Sequence, residues 1–315
     1  MLTFGNVITA MITPFHEDGS VNYEGAVKLA QYYCENGSDG ILVAGTTGEG
    51  ATMTEDEKLK LFTDISAAVG DKVMVMANVG TNNTAQTIEF MKKAEKTGVD
   101  CFLAIVPYYN KPNQDGCYAH FAALAKATDM PILIYNVPGR TGGKIEAATV
   151  VKLAHDFKNI VGIKEASGDL NAATTIARDT DDDFYVYSGE DNLTLPILSV
   201  GGCGVISVAS HIIGKQMNEM VQAYKDGDIK KAMELHQKYL PVMTGIFCTV
   251  NPTPIKALLQ HARPAGRRVP PAHGRRQPEG KRIPDADDEG CRRHVTVNQY
   301  DEANGERAPL FPHFI

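Results

Sequence analysis

Ile160-Val161-Gly162-Ile163-Lys164-Glu165-Ala166-Ser167-Gly168-Asp169 is the stretch on which the reading of this chain turns. An apolar run climbs to a lysine, and Ser, Gly and Asp follow as a turn into a helix. A charged amine at the end of a buried strand needs a reason. Burial disfavours the ammonium form, and a neutral amine is a nucleophile that condenses with carbonyl compounds. The structural alternative is that Lys164 leaves the strand end and pairs with Glu165 or a neighbouring carboxylate. On this stretch alone the structural alternative is the simpler one.

The same strand–turn–helix unit recurs on both sides of it. Strands are read at Val7–Ile12, Gly40–Ala44, Val73–Asn78, Cys101–Val106, Ile132–Asn136, Phe184–Tyr187 and Gly204–Val208. Helical spacing is read at Tyr23–Cys34, Thr84–Lys96, Asp115–Ala127, Glu146–His155, Leu170–Arg178, Leu193–Val200 and His211–Lys225. Thr54-Glu55-Asp56-Glu57 is a capping box opening a further helix to about Val69. Eight such units within about 225 residues predict an α/β fold, a closed (β/α)₈ TIM barrel with a parallel sheet. No Gly-x-Gly-x-x-Gly follows the first strand, which weakens a dinucleotide-binding sheet. Residues 1–226 are read as the catalytic barrel. Residues 227–260 are read as a small C-terminal helical appendage, with Pro254 at a plausible first-turn position.

Composition changes sharply after that. Up to Gln260 the chain has nineteen lysines and two arginines, Arg140 and Arg178; beyond it there are nine arginines and one lysine, Lys281. Seven of the sixteen prolines also lie there, and apolar periodicity stops. Residues 261–315 are therefore expected to be an atypical, disordered tail, and a shift of reading frame near Gln260 would account for its composition. The net charge of −7 points to neither nucleic acid nor anionic membrane as a partner. No apolar run reaches transmembrane length. The first residues lack a signal-peptide pattern, so a cytoplasmic protein is expected. The six cysteines are scattered without zinc spacing and read as free thiols.

In this barrel, chemistry collects at the carboxyl ends of the strands. Gly45-Thr46-Thr47-Gly48-Glu49-Gly50 follows the second strand, and Pro107-Tyr108-Tyr109-Asn110-Lys111-Pro112 follows the fourth. The fifth ends on Tyr135 and runs into Asn136-Val137-Pro138-Gly139-Arg140-Thr141-Gly142. The sixth ends on Lys164, Ser188-Gly189-Glu190-Asp191 follows the seventh, and the eighth carries Gly204-Val205-Ile206-Ser207. Singly, each has a bland explanation in turns, packing or surface pairing. Together they put an amine, hydroxyls, backbone amides and an arginine on one face. An amine forms an imine with an α-keto acid, and the imine draws a proton from the adjacent carbon to give an enamine. Tyr135 and Thr47 have hydroxyls suited to a proton relay. The Gly-rich turn suits one carboxylate and Arg140 a second. No metal cluster is expected, and the residues read as a class I aldolase without one.

The Gly45–Glu49, Tyr108–Pro112, Tyr135–Thr141 and Gly162–Gly168 motifs closely resemble, in order, the dihydrodipicolinate synthase (4-hydroxy-tetrahydrodipicolinate synthase) family, from about Phe4 to Leu259. The resemblance implies condensation of pyruvate with L-aspartate-4-semialdehyde in the diaminopimelate route to lysine. It implies that Lys164 is the imine lysine and Tyr135 the general acid/base, with Thr47 and Tyr109 as relay partners. Tyr109 would reach in from a neighbouring subunit. The backbone at Thr46 and Thr47 would hold the pyruvate carboxylate and Arg140 that of the semialdehyde; Gly189 and Ile206 would line the pyruvate site. No cofactor is implied beyond the covalent imine on Lys164, and the expected assembly is a homotetramer, a dimer of dimers. N-acetylneuraminate lyases and keto-deoxy sugar-acid aldolases are the nearest alternatives, but the two-threonine turn and Arg140 favour the synthase. A non-catalytic keto-acid binder, or a member inactivated by its tail, is the alternative of another class. Gly50, Glu55, Lys58, Asn82 and Gln86 occupy the region where lysine-inhibited members bind lysine. Lys58 and Gln86 replace groups that would attract that ligand, so weak or absent feedback inhibition is expected.

Overall fold

The computed structural model describes residues 4–261. Eight strands, β1 (Val7–Ala10), β2 (Gly40–Val43), β3 (Met74–Asn78), β4 (Cys101–Ile105), β5 (Ile132–Asn136), β6 (Ile160–Glu165), β7 (Tyr185–Ser188) and β8 (Gly204–Ser207), alternate with helices. Each strand pairs in parallel with the next, and Ile8 opposite Ile206 closes β8 onto β1. The outer layer is α1 (Tyr23–Glu35), α2 (Glu55–Val69), α3 (Thr84–Ala94), α4 (Gln114–Ala125), α5 (Pro138–Thr141), α6 (Ala147–Asp156), α7 (Leu170–Asp179), α8 (Thr194–Ser199) and α9 (Ser210–Lys225). Two more helices, α10 (Ile229–Gly245) and α11 (Thr253–His261), complete the described chain.

The elements form for the reasons their sequences give. Thr54 and Glu57 bond reciprocally at the start of α2, Thr54 Oγ1 accepting from Glu57 N and Glu57 Oε2 accepting from Thr54 N. The helix read over Thr84–Lys96 loosens into a 3₁₀ turn at Glu95–Thr97 and ends at left-handed Gly98. Pro254 does fall in the first turn of α11. The single turn α5, read from sequence as loop, is started by Pro138.

Strand alternation divides the apolar side chains into two cores. Ile41, Val43, Phe102, Ala104, Ile132, Ile134, Val186 and Val205 face the helices. Leu42, Cys101, Leu103, Leu133, Tyr135, Tyr187 and Ile206 fill the barrel. On β6 the alternation is reset by one extra residue. Ile160 pairs with Ile132, but the next pair is Gly162 with Leu133, so Val161 is a bulge. After it, Ile163 faces the helices with Ile134, and Lys164 pairs with Tyr135 in the inward phase. A side chain at Gly162 would place its Cβ 2.5 Å from the Tyr185 carbonyl oxygen, so the shifted strand needs glycine there.

Tyr239, Val242, Met243, Ile246, Ile255 and Leu259 of the C-terminal helical region join the same core as the barrel helices. Cys34, Cys101, Cys117 and Cys203 are free thiols; Cys248 is disulfide-bonded, contrary to the reading of six free thiols. Among the described residues no helix is long and apolar enough to cross a membrane. Of the tail expected over residues 261–315, His261 ends α11 and the rest lies outside the described residues.

Candidate active site

Lys164 and Tyr135 stand side by side at the carboxyl ends of β6 and β5, in register and both buried. The Lys164 ammonium sits 4.5 Å from the centroid of the Tyr135 ring, a cation–π contact that orients amine and phenol together. Lys164 does not pair with Glu165. Glu165 turns to the other face, where its Oε2 accepts from Asn136 Nδ2 (2.9 Å) and its Oε1 from the Ser167 amide (2.6 Å). Lys164 is in no ion pair among the described residues. Its electrostatic partners are Glu190 and Asp191, whose carboxyls it pulls downward against the upward push of burial.

The loop after β2 is a tight cradle. Ala44 (φ +53°) and Glu49 (φ +56°) are left-handed, and Gly50 lies so near that a Cβ would meet the Ala44 carbonyl oxygen at 1.9 Å. Thr47 is buried within it and Thr46 half-buried. Three residues here were given no role from sequence: Glu49, Asn251 and Lys256. Lys256 of α11 forms a buried ion pair with Glu49, and its Nζ lies 4.6 Å from the Phe15 ring centroid. Burial lowers the Lys256 pKa, and Glu49 opposes the shift. Asn251, just ahead of α11, donates from Nδ2 to Thr47 Oγ1 at 2.9 Å. The signal was Asn251-Pro252-Thr253-Pro254, which reads as turn punctuation until a buried asparagine is placed in it.

The far wall comes from β7 and β8. Gly189 donates its amide to Glu165 O (2.7 Å), and a Cβ there would be 2.5 Å from that of Ala166. Ile206 points into the barrel. Asp191, fully buried, binds the Ser207 hydroxyl and the amides of Val208 (3.1 Å) and Ala209 (3.0 Å), fixing the turn after β8. Glu190 is raised first by burial and then by Asp191, while Lys164 and Arg140 oppose that shift. One carboxylate thus feels both cations, although Arg140 on α5 is itself exposed. Neither acid was given a role from sequence.

Tyr109 is the exception. It is 89 % exposed, with a left-handed backbone (φ +69°), and does not enter the barrel of its own chain. The other seven sequence-identified residues lie on the ends of β5, β6 and β8 or on the segments after β2, β5 and β7.

Fold and site together define a (β/α)₈ barrel enzyme built around an interior lysine. The chain belongs to the dihydrodipicolinate synthetase family, whose model matches residues 3–270. It is 50 % identical over 259 residues to the 4-hydroxy-tetrahydrodipicolinate synthase of Moorella thermoacetica, covering 82 % of this chain and 88 % of that one. Among solved structures it resembles the Cyanidioschyzon merolae enzyme with lysine bound, at TM-score 0.81 and 48 % identity over 82 % of this chain and 88 % of that one. It also resembles a monomeric dihydrodipicolinate synthase variant, at TM-score 0.85 and 38 % identity over 95 % and 97 % of the two chains.

Proposed function

We propose that this chain condenses pyruvate with L-aspartate-4-semialdehyde to 4-hydroxy-tetrahydrodipicolinate, in diaminopimelate and lysine biosynthesis, through an imine on Lys164. The observation that carries the reading is the inward Lys164, buried, in no ion pair among the described residues, with the Tyr135 ring against its amine. The amine adds to the pyruvate ketone and water leaves, giving the imine. The imine takes up the electron pair as a methyl proton departs, and the enamine carbon then attacks the aldehyde. The semialdehyde's own amine closes the ring on the imine carbon and releases Lys164 as free amine.

Tyr135 moves the protons, with Thr47 and the Tyr109 of a neighbouring subunit in relay. Backbone amides at Thr46 and Thr47 hold the pyruvate carboxylate and Arg140 that of the semialdehyde, with Gly189 and Ile206 as the wall. The exposure of Tyr109 supports a role across a subunit boundary, and the assembly is then at least a dimer, a dimer of dimers in the full reading. The chemistry uses no cofactor besides the imine, and the compartment is the cytoplasm. The barrel (1–226) and appendage (227–260) work as one unit.

Borohydride trapping with pyruvate, followed by peptide mass, tests the reading. A pyruvyl adduct on Lys164 together with turnover of both substrates is the expected outcome. A folded sample that gives no adduct sinks it.

A further inference from the structure

Asn251 and Thr47 are 204 residues apart, yet their side chains are bonded and both are buried. A threonine hydroxyl has one proton to donate and two lone pairs. Asn251 Nδ2 occupies one lone pair, which leaves Thr47 with its proton and its second lone pair. Asn251 Oδ1 is buried with no partner. Turning the amide over would give Thr47 an acceptor instead of a donor and leave two N–H groups unpaired. In the structure it is Nδ2 that faces the hydroxyl, so the amide stands there as a donor. The ion pair between Glu49 and Lys256 joins the same two segments beside it and holds them in contact.

We propose that Asn251 is a positioning residue for the proton relay, filling one lone pair of Thr47 so that the hydroxyl is kept as a donor toward the reacting groups. The C-terminal helical region is then part of the catalytic unit. The inference rests on the reading of Thr47 as a relay hydroxyl.

The test uses full-length chain with Asn251→Ala and the isosteric Asn251→Asp, with wild type and Thr47→Val alongside. Asn251→Ala is expected to lower kcat by roughly 10- to 100-fold with little change in the KM for pyruvate, and to leave borohydride trapping on Lys164 intact. At neutral pH the carboxylate of Asn251→Asp can only accept, so it takes the Thr47 proton and the loss is at least as large. Acidification protonates that carboxyl and restores a donor, so the deficit relative to wild type shrinks as pH falls. In a Thr47→Val background, Asn251→Ala should cost no further rate.

Should Asn251→Ala fail to fold, the size-matched Asn251→Asp and its pH profile decide the matter. Adduct formation with kcat within twofold of wild type in both variants overturns the role of Asn251 and leaves the imine chemistry standing. A pH-independent deficit in Asn251→Asp, or an added loss in the Thr47→Val background, also overturns it. Absence of an adduct in wild type overturns the underlying reading as well.

Discussion

Two loops at the carboxyl end of the barrel share a backbone oddity and are held differently. The loop after β2 has left-handed Ala44 and Glu49; the loop after β4 has left-handed Tyr109 (φ +69°) and Lys111 (φ +42°). Such non-glycine residues cost of order 1–3 kcal/mol each and persist only when their surroundings hold them. Around the first loop the holders are internal. Thr13 Oγ1 donates to Gly48 O (2.6 Å), Lys256 pairs with Glu49 and Asn251 binds Thr47. Around the second, Asn110 Nδ2 reaches Asn82 O (3.1 Å) and Lys111 lies over Gly142, while Tyr109 stands in solvent. The first loop is finished by its own chain. The second leaves Tyr109 outside its own barrel, where the proposed role across a subunit boundary would need it.

The sharpest way to break this comparison is subunit mixing. Tyr109→Phe and Lys164→Ala chains should each lose turnover by roughly 100-fold or more. Assembled together they should regain part of it, because a mixed pair contains one site with an intact lysine and an intact neighbouring tyrosine. Thr47→Val mixed with Lys164→Ala should regain nothing, since both groups belong to one barrel. Recovery in the second mixture, or none in the first, would abolish the distinction.

Next in size is the internal pin. Lys256→Met strands a buried Glu49 carboxylate and should cost about 3–5 kcal/mol in urea unfolding. Lys93→Met removes a pair with Glu55 whose side chains are 54 % and 46 % exposed, and should cost under about 1 kcal/mol. Equal losses would mean that the loop after β2 is not pinned by Lys256.

A third test compares the ground beneath the two loops. Under the first, His211 accepts from Ile12 N and bonds Val208 O; beside the second, His120 bonds Thr84 and leaves Nε2 buried without a partner. Burial pushes both histidines down to about 4. Between there and the ordinary 6.5 the unfolded chain binds protons that the folded chain refuses. This contribution is therefore present above pH 6.5 and is lost as pH falls through the folded value, by order 3 kcal/mol per histidine. Glu165, Glu190 and Asp191, raised by burial, act with the opposite sign. The readout is accordingly a difference: His211→Gln or His120→Gln should flatten the fall in melting temperature between pH 6.5 and 4. An unchanged slope would count against it.

The smallest expected effect is with free lysine. Lys58, its Nζ 4.4 Å from the Phe90 ring centroid, and Gln86 offer a cationic ligand no negative charge, so lysine up to about 1 mM, a binding free energy near −4 kcal/mol, should leave turnover almost unchanged. Strong inhibition between about 0.1 and 1 mM would overturn that.

The barrel was legible because each unit carries its own local signal: apolar runs, a capping box at Thr54, a left-handed glycine at Gly98. Lys164 and Tyr135 were legible as strand ends. Whether Lys164 faced inward was not, because Ile160-Val161-Gly162-Ile163 looks the same with or without a bulge; only pairing with β5 reveals the reset. Asn251 and Lys256 were hidden for another reason. Their partners, Thr47 and Glu49, are far away in the chain, and periodicity describes neighbours alone. Tyr109 was identified as a residue, but its position is set by the exposed, left-handed turn after Tyr108, which composition does not encode.

The bond between Asn251 and Thr47 also orders events in time. Thr47 leaves the ribosome early and its amide partner 204 residues later, so a nascent barrel can close around Lys164 while its threonine is still unpartnered. On the proposed role of Asn251, the site is complete only once the segment leading into the last described helix is made, and a chain released before that point would carry Lys164 without the amide that binds Thr47.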